Sequence, residues 1–177
     1  MNKTMNNQQE TLKAYIAGIM DGEGTFCISH HTYKKKWFVR KTIQVANTSP
    51  LIIQFVIDFL KKNNLRFYLR TELKSKTGKL VSYKLRIDRL KDAIIFIDLI
   101  SGYLTEKKKF AYLVKEFCEY RLSVDNQKRD DNGKFIGYTP HKTTIGEKDI
   151  DFFKRYRALR DSSETTRRKP HNFEVKI

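Results

Sequence analysis

Ile16-Ala17-Gly18-Ile19-Met20-Asp21-Gly22-Glu23-Gly24 is the stretch on which the fold turns. Leu12, Tyr15, Ile16, Ile19 and Met20 recur at the spacing of one helix face, and Asn7 followed by Glu10 has the form of a capping box. A helix is therefore predicted from about Gln8 to Asp21. Inside it Gly18 and Gly22 lie four apart and share one side, next to Ala17 and Asp21. Each internal glycine costs about 1 kcal/mol of helix propensity relative to alanine, and close approach of another backbone is a compensating reason. That backbone belongs either to the same chain or to a second copy of the helix. In the second case two copies of Asp21 and Glu23 meet at the helix tips, where they repel unless a divalent cation lies between them. Oxygen ligands of this kind predict magnesium.

Beyond Gly24 the hydrophobic period changes to two, in Thr25 to His31 and in Trp37 to Asn47, with Tyr33 to Lys36 as the turn of a hairpin. Ser49-Pro50 starts a second helix, with Ser as N-cap and Pro at the first helical position, and Asn63-Asn64 ends it. A second alternating pair follows, Leu65 to Lys74 and Leu80 to Asp88, joined through a segment holding Gly78. Helices are predicted over Arg89 to Ser101 and from Thr105 to about Arg121. Ser123 to Thr144, with Asp131-Asn132-Gly133, reads as a loop or short hairpin, and Ile150, Phe153, Tyr156 and Leu159 mark a last helix. The expectation is an α+β plan, αββαββα with an antiparallel sheet and an extra C-terminal helix. Residues 1–122 form the core, 123–161 a loop and helix of the same domain, and 162–177 a flexible tail.

The chain carries 36 Lys and Arg against 20 Asp and Glu, a formal charge of +16 over 177 residues. Residues 25 to 89 hold fifteen of the bases and only three acids, Asp58, Glu72 and Asp88. Such concentration points to a polyanionic partner rather than to solubility alone. Cys27 and Cys118 form no Cys-x-x-Cys, and His30, His31, His141 and His171 have no metal spacing, so neither a disulfide framework nor a zinc site is signalled. With no apolar run of membrane-spanning length and a polar start over Met1 to Gln9, an intracellular, reducing setting is expected, in a bacterial or phage context or an organelle, with no membrane partner.

Alternation sorts the strands into two faces. Val39, Ile43 and Val45 share one side of the second strand; Phe38, Arg40, Thr42 and Gln44 share the other. Arg66, Tyr68, Arg70, Glu72 and Lys74 oppose Leu65, Phe67 and Leu69, while Ser82, Lys84 and Arg86 oppose Val81, Tyr83, Leu85 and Ile87. A solvated sheet face is also polar, but the Arg, Lys, Gln, Tyr and Thr here suit phosphates and base edges, and acids are nearly absent. Together with Ser29 and His31 of the first strand these polar positions, Glu72 excepted, make a candidate DNA-binding surface; a strand ribbon fits a DNA major groove. Thr105-Glu106-Lys107-Lys108-Lys109 sets three lysines where a helix macrodipole disfavours cations, a penalty that a nearby phosphate would reverse.

The nonamer Ile16 to Gly24, followed by helix-strand-strand-helix order and its repeat, resembles the LAGLIDADG signature of homing endonucleases over most of residues 8–121. The resemblance implies that Glu23, at the second acid of the motif, is the essential metal ligand, with the Gly22 carbonyl nearby. That family usually has Asp there, and Glu is one methylene longer. Asp21 is expected to support the helix end. One motif and no second copy imply a homodimer, with Ala17, Gly18, Asp21 and Gly22 at its interface. Lys107 matches a basic residue that polarises the phosphate or activates water, and Asn47 a polar position that orients solvent, which makes Glu23, Lys107 and Asn47 the candidate catalytic set. The implied activity is that of an intron-encoded nuclease. It would cut both strands of a long near-palindromic site across the minor groove, using Mg2+, with Mn2+ or Ca2+ able to substitute for binding. The alternative is a non-cleaving binder on the same scaffold, an intron RNA maturase or a DNA-binding regulator.

Overall fold

The computed structural model describes residues 2–33, 36–73, 81–124 and 147–163. Its elements are α1 (Asn2–Gly22), β1 (Gly24–Tyr33), β2 (Lys36–Asn47), α2 (Pro50–Lys62), β3 (Tyr68–Leu73), β4 (Val81–Arg86), α3 (Leu90–Ile100), α4 (Lys108–Val124) and α5 (Glu147–Ser163). This is the expected α+β order, αββαββα followed by two more helices. The four strands form one antiparallel sheet in the order β1-β2-β4-β3. The expected turn over Ser75 to Lys79, most of the segment Ser123 to Thr144 and the tail after Ser163 lie outside the described residues.

Period-two alternation does the sorting. Phe26 and Ile28 of β1, Ile43 and Val45 of β2, and Leu85 of β4 are buried on one face of the sheet, with Ile87 just beyond β4. Against them pack Ile16, Ala17 and Met20 of α1, Val56 and Leu60 of α2, Phe96 and Ile97 of α3, and Val114 and Phe117 of α4, all within one hydrophobic cluster. Covering one face with helices leaves the other face open for contact. As an edge strand, β3 closes less completely: Leu69 remains 40% exposed.

Local chemistry fixes the helix ends. At α2 the Ser49 hydroxyl accepts the Ile52 N–H at 3.5 Å and Pro50 occupies the first turn. Its far end is a Schellman motif: Asn64 takes φ 54°, its N–H reaches Lys61 O at 3.0 Å, and Leu65 N–H reaches Leu60 O at 2.9 Å. α1 extends back to Asn2, so Asn7 sits inside the helix, where its carbonyl accepts the Thr11 hydroxyl at 2.8 Å. The strand expected from Leu65 begins only at Tyr68, which leaves Arg66 ahead of the sheet, its N–H on the Asp92 carboxylate at 3.2 Å.

α5 packs on α4 and the β1–β2 hairpin through a face rotated from the expected one. Asp149, Phe152 and Tyr156 are its buried residues, while Phe153 is half-buried with its ring 4.9 Å from His30. Aromatic contacts dictate the rotation: Phe152 meets Phe117 and stacks on Tyr120, both at 5.5 Å, and Tyr156 meets Phe110 at 5.6 Å. Asp149, 4% exposed, pairs with Arg121 at 3.3 Å. No helix among the described residues is long and apolar enough to cross a membrane.

Because Asn64 holds a left-handed conformation, Asn64→Gly should leave stability within a few tenths of a kcal/mol, whereas Asn64→Val should cost about 1–2 kcal/mol, measured by urea denaturation.

Candidate nucleic-acid interface and acidic helix tip

α1 ends with exposed carbonyls and no basic residue in its last turn, the electrostatic situation in which a cation is favoured. Lys107, just ahead of α4, provides it. Its Nζ donates to Gly24 O at 2.7 Å and Met20 O at 3.1 Å, with Gly22 O at 3.5 Å. Asp21 answers in the opposite direction: its Oδ2 accepts the Thr105 N–H at 2.8 Å and the Thr105 hydroxyl at 3.0 Å, and its Oδ1 accepts the Lys107 N–H at 3.0 Å. Each element thus caps the other, an acid at the positive end of α4 and an ammonium at the negative end of α1. Burial would raise the Asp21 pKa, but donors from Thr105, Lys107 and Glu106 together hold it below the ordinary carboxylate value. Burial lowers the Lys107 pKa, against the opposing charges of Asp21 and Glu23.

The reason inferred for a phosphate beside Lys107, a cation at the wrong helix end, is met differently: the ammonium reaches across to the carbonyls of α1. Glu23 stands next to this exchange. Its N–H continues α1 by reaching Ile19 O at 2.8 Å, its side chain is exposed, and no hydrogen bond ties the carboxylate to another described residue. Gly24 makes the sharp passage into β1 possible, because a Cβ there would lie 2.6 Å from Met20 O and 2.7 Å from Met20 Cα. The ladder pairs Gly24 with Val45, which puts Asn47, two residues further along β2, at the same end of the sheet. The Asn47 Oδ1 accepts the Ser49 N–H at 2.8 Å, the turn contact that leads into α2.

Of the residues expected at a subunit interface, Gly18 and Gly22 are exposed and a Cβ at either would meet nothing within 4 Å, so packing inside the chain does not explain them. Ala17, by contrast, is wholly buried in its own core, and Asp21 is engaged within its own chain. Tyr15, 51% exposed and on the glycine side of α1, meets Phe55 of α2 edge-on at 4.7 Å, and Leu51 beside it is 80% exposed.

Register assembles the open face of the sheet. Thr25, Gln44, Arg86 and Tyr68 line up across all four strands, Ala46, Lys84 and Arg70 make the next row, and Ser29–Arg40 and His31–Phe38 extend it along the hairpin. Thr42 sits opposite Cys27, and the His31 and Phe38 rings stack at 5.3 Å. Arg70 and Lys84 share Glu72, at 3.2 and 2.5 Å. Ser82 departs from the row's pattern: it is 0% exposed and does not present its hydroxyl at the surface. Lys74 lies outside the described residues.

The fold is that of the LAGLIDADG homing endonucleases. I-CvuI, solved with its DNA target in the presence of calcium, shares 13% identity over 90% of this chain and 88% of its own, with a TM-score of 0.58. The archaeal intron-encoded homing endonuclease I-Vdi141I, complexed with DNA, also shares 13% identity, over 92% of this chain and 91% of its own, at 0.58. I-GzeII in complex with its DNA target matches at 21% identity and 0.56, and this chain spans 54% of it. No family profile and no curated protein matches the sequence.

Within this LAGLIDADG fold one residue escaped the sequence reading. Lys41 occupies the core-facing register of β2, between Val39 and Ile43, and its Nζ donates to Ile87 O. Burial holds its pKa below the ordinary lysine value, with Cys118, Asp88 and Asp92 acting the other way, and burial pushes the Cys118 thiol up to about 11. The clue was strict alternation, which assigns position 41 to the core whatever its charge.

Asp21→Ala should destabilise the chain by about 1–2 kcal/mol at neutral pH. The native Asp21 pKa is depressed, so its contribution is present in full above the unfolded carboxylate's pKa of about 3.9 and is lost as pH falls from there through the lower native value. Thermal melts of the two proteins should therefore converge in acid.

Proposed function

We propose that the chain is a site-specific double-strand DNA endonuclease, acting as a homodimer on a long near-palindromic site and hydrolysing phosphodiesters across the minor groove with magnesium. The observation that carries this reading is the Glu23 carboxylate, exposed and without a hydrogen bond to another described residue, at the tip of a glycine-faced helix and at one end of a basic four-stranded face. I-CvuI, I-Vdi141I and I-GzeII, which share the fold, were each solved with DNA.

The donor set suits a hard cation. Among the described residues no three His, Cys, Asp or Glu converge, and at this helix tip the carboxylate without a hydrogen bond to another described residue is that of Glu23, which follows the Gly22 carbonyl in the chain. Magnesium is commonly held by one or two carboxylates plus phosphate oxygens and water, and such a set is complete only with DNA and a second subunit in place. When bound, the ion supplies charge neutralisation at the phosphate and an acidified water. The protein's share is positional. Asp21 and Lys107 lock the helix tip so that Glu23 projects at a fixed place, and the Lys107 ammonium adds positive potential beside it. Asn47 anchors the adjoining turn. Phosphate and base contacts fall to Ser29, His31, Phe38, Arg40, Thr42, Gln44, Tyr68, Arg70, Lys84 and Arg86, and Arg66 contributes charge from the sheet's edge.

The homodimer is supported by Gly18 and Gly22, whose open α-carbons let a second α1 approach, and by the exposed Tyr15 and Leu51 alongside. Gly18→Leu should leave the monomer folded by circular dichroism yet abolish dimers in sedimentation, and cutting with them. A stable dimer in that variant would remove α1 from the interface.

Supercoiled plasmid carrying the coding locus and its flanks should be linearised only with magnesium. Glu23→Gln should eliminate cutting while duplex binding persists, and binding should fall steeply with salt, by a slope of about 0.9 per phosphate contact. Binding with no cutting under any divalent ion would favour the maturase or regulator reading.

A further inference from the structure

Arg86 lies in the middle of the open face, between Gln44 of β2 and Tyr68 of β3. A guanidinium has five N–H donors arranged in forks, and two separate claims fix this one. Asp88 lies along the side edge: its Oδ1 is 2.7 Å from Nε in an ion pair, and Nη2 donates its hydrogen bond to Oδ2 at 3.1 Å. Nε is shielded from solvent and donates no hydrogen bond to a described residue, so the ion pair, the Nη2 bond and the ring hold the group. Tyr68 sets the plane, with its ring centroid 5.7 Å from the guanidinium carbon. What remains is the end fork, Nη1 and the second proton of Nη2, which are two parallel donors on a held plane.

In the major groove guanine presents two adjacent acceptors, N7 and O6, while adenine replaces O6 with an N–H donor. Two parallel donors match the first and clash with the second. Resting on the DNA-binding reading above, we propose that Arg86 reads a guanine in each half-site and that Asp88 and Tyr68 are the positioning residues that make it do so. The two neighbouring cations are built differently. Arg70, 65% exposed, and the Lys84 ammonium divide one carboxylate, Glu72, and neither stacks on a described ring; such groups suit phosphates. Asp88 itself is an acid near a polyanion, which lowers affinity for every sequence. Its place beside Arg86 is accounted for if it gives up affinity for discrimination.

The test is selection of duplexes from a randomised library by the purified full chain, followed by titration of the selected and of a random-sequence duplex at one salt concentration. The wild type should select a guanine in each half-site whose change to adenine weakens binding about 10- to 100-fold. Arg86→Lys should lose that discrimination, binding the guanine duplex and its adenine-substituted counterpart within about twofold of each other. Asp88→Ala should move the two readouts in opposite directions, with random-sequence duplex bound more tightly and guanine discrimination reduced. Discrimination retained at every guanine by Arg86→Lys, or a parallel loss on both duplexes by Asp88→Ala, overturns the assignment while leaving DNA binding intact. A wild-type chain that binds neither duplex overturns the DNA-binding reading and this assignment together.

Discussion

The crossed capping of α1 and α4 is the constraint from which the rest of the molecule follows. Two helix ends, each with orphan backbone groups and a partial charge, satisfy one another through one side chain apiece, Asp21 on the Thr105–Lys107 turn and Lys107 on the Met20 and Gly24 carbonyls. Separately either contact is a modest capping interaction. Jointly they fix the angle at which α1 hands the chain to β1, a passage already so tight that only glycine fits at position 24. Glu23 sits between the two caps and engages in neither, so its direction is set by its neighbours rather than by contacts of its own.

The same economy governs charge across the sheet. The open face is basic, yet the acids on or beside it are matched to particular cations: Glu72 to Arg70 and Lys84, Asp88 to Arg86. Those pairs are partly exposed and contribute little to stability; their effect is to narrow the conformations of long side chains that would otherwise have to be ordered by a ligand. On the covered face Lys41 intrudes among apolar residues and is accommodated by the Ile87 carbonyl just beyond β4.

Much of the plan was legible in the chain. Alternation in β2, the Ser49-Pro50 start and the Asn63-Asn64 stop are local signals whose physics needs no distant partner, and each element they announced is present. The nonamer placed Glu23 and the exposed glycines. What sequence could not supply were choices made by tertiary contact. Lys107 was read against its own helix because its acceptors are more than eighty residues away. Ala17 shares a helix with Gly18, but one step of about 100° carries it from the surface to the core. α5 turned to follow the aromatic rings of α4, and Ser82 lies buried at a position whose alternation promised exposure. Arg66 stands ahead of β3 because Leu65 completes the α2 cap and pairing with β4 begins only at Tyr68.

The seam between α4 and α5 has a practical corollary for anyone reshaping this protein. Phe110, Phe117 and Tyr120 of α4 meet rings of the last described helix, Arg121 pairs with its Asp149, and the same helix touches the hairpin through Phe153 and His30. A shortened version ending after α4 would bare that aromatic strip and strand the Arg121 charge without its counterion. The smallest sensible engineering unit is therefore set by where the rings find cover and not by where the repeated helix-and-hairpin pattern ends.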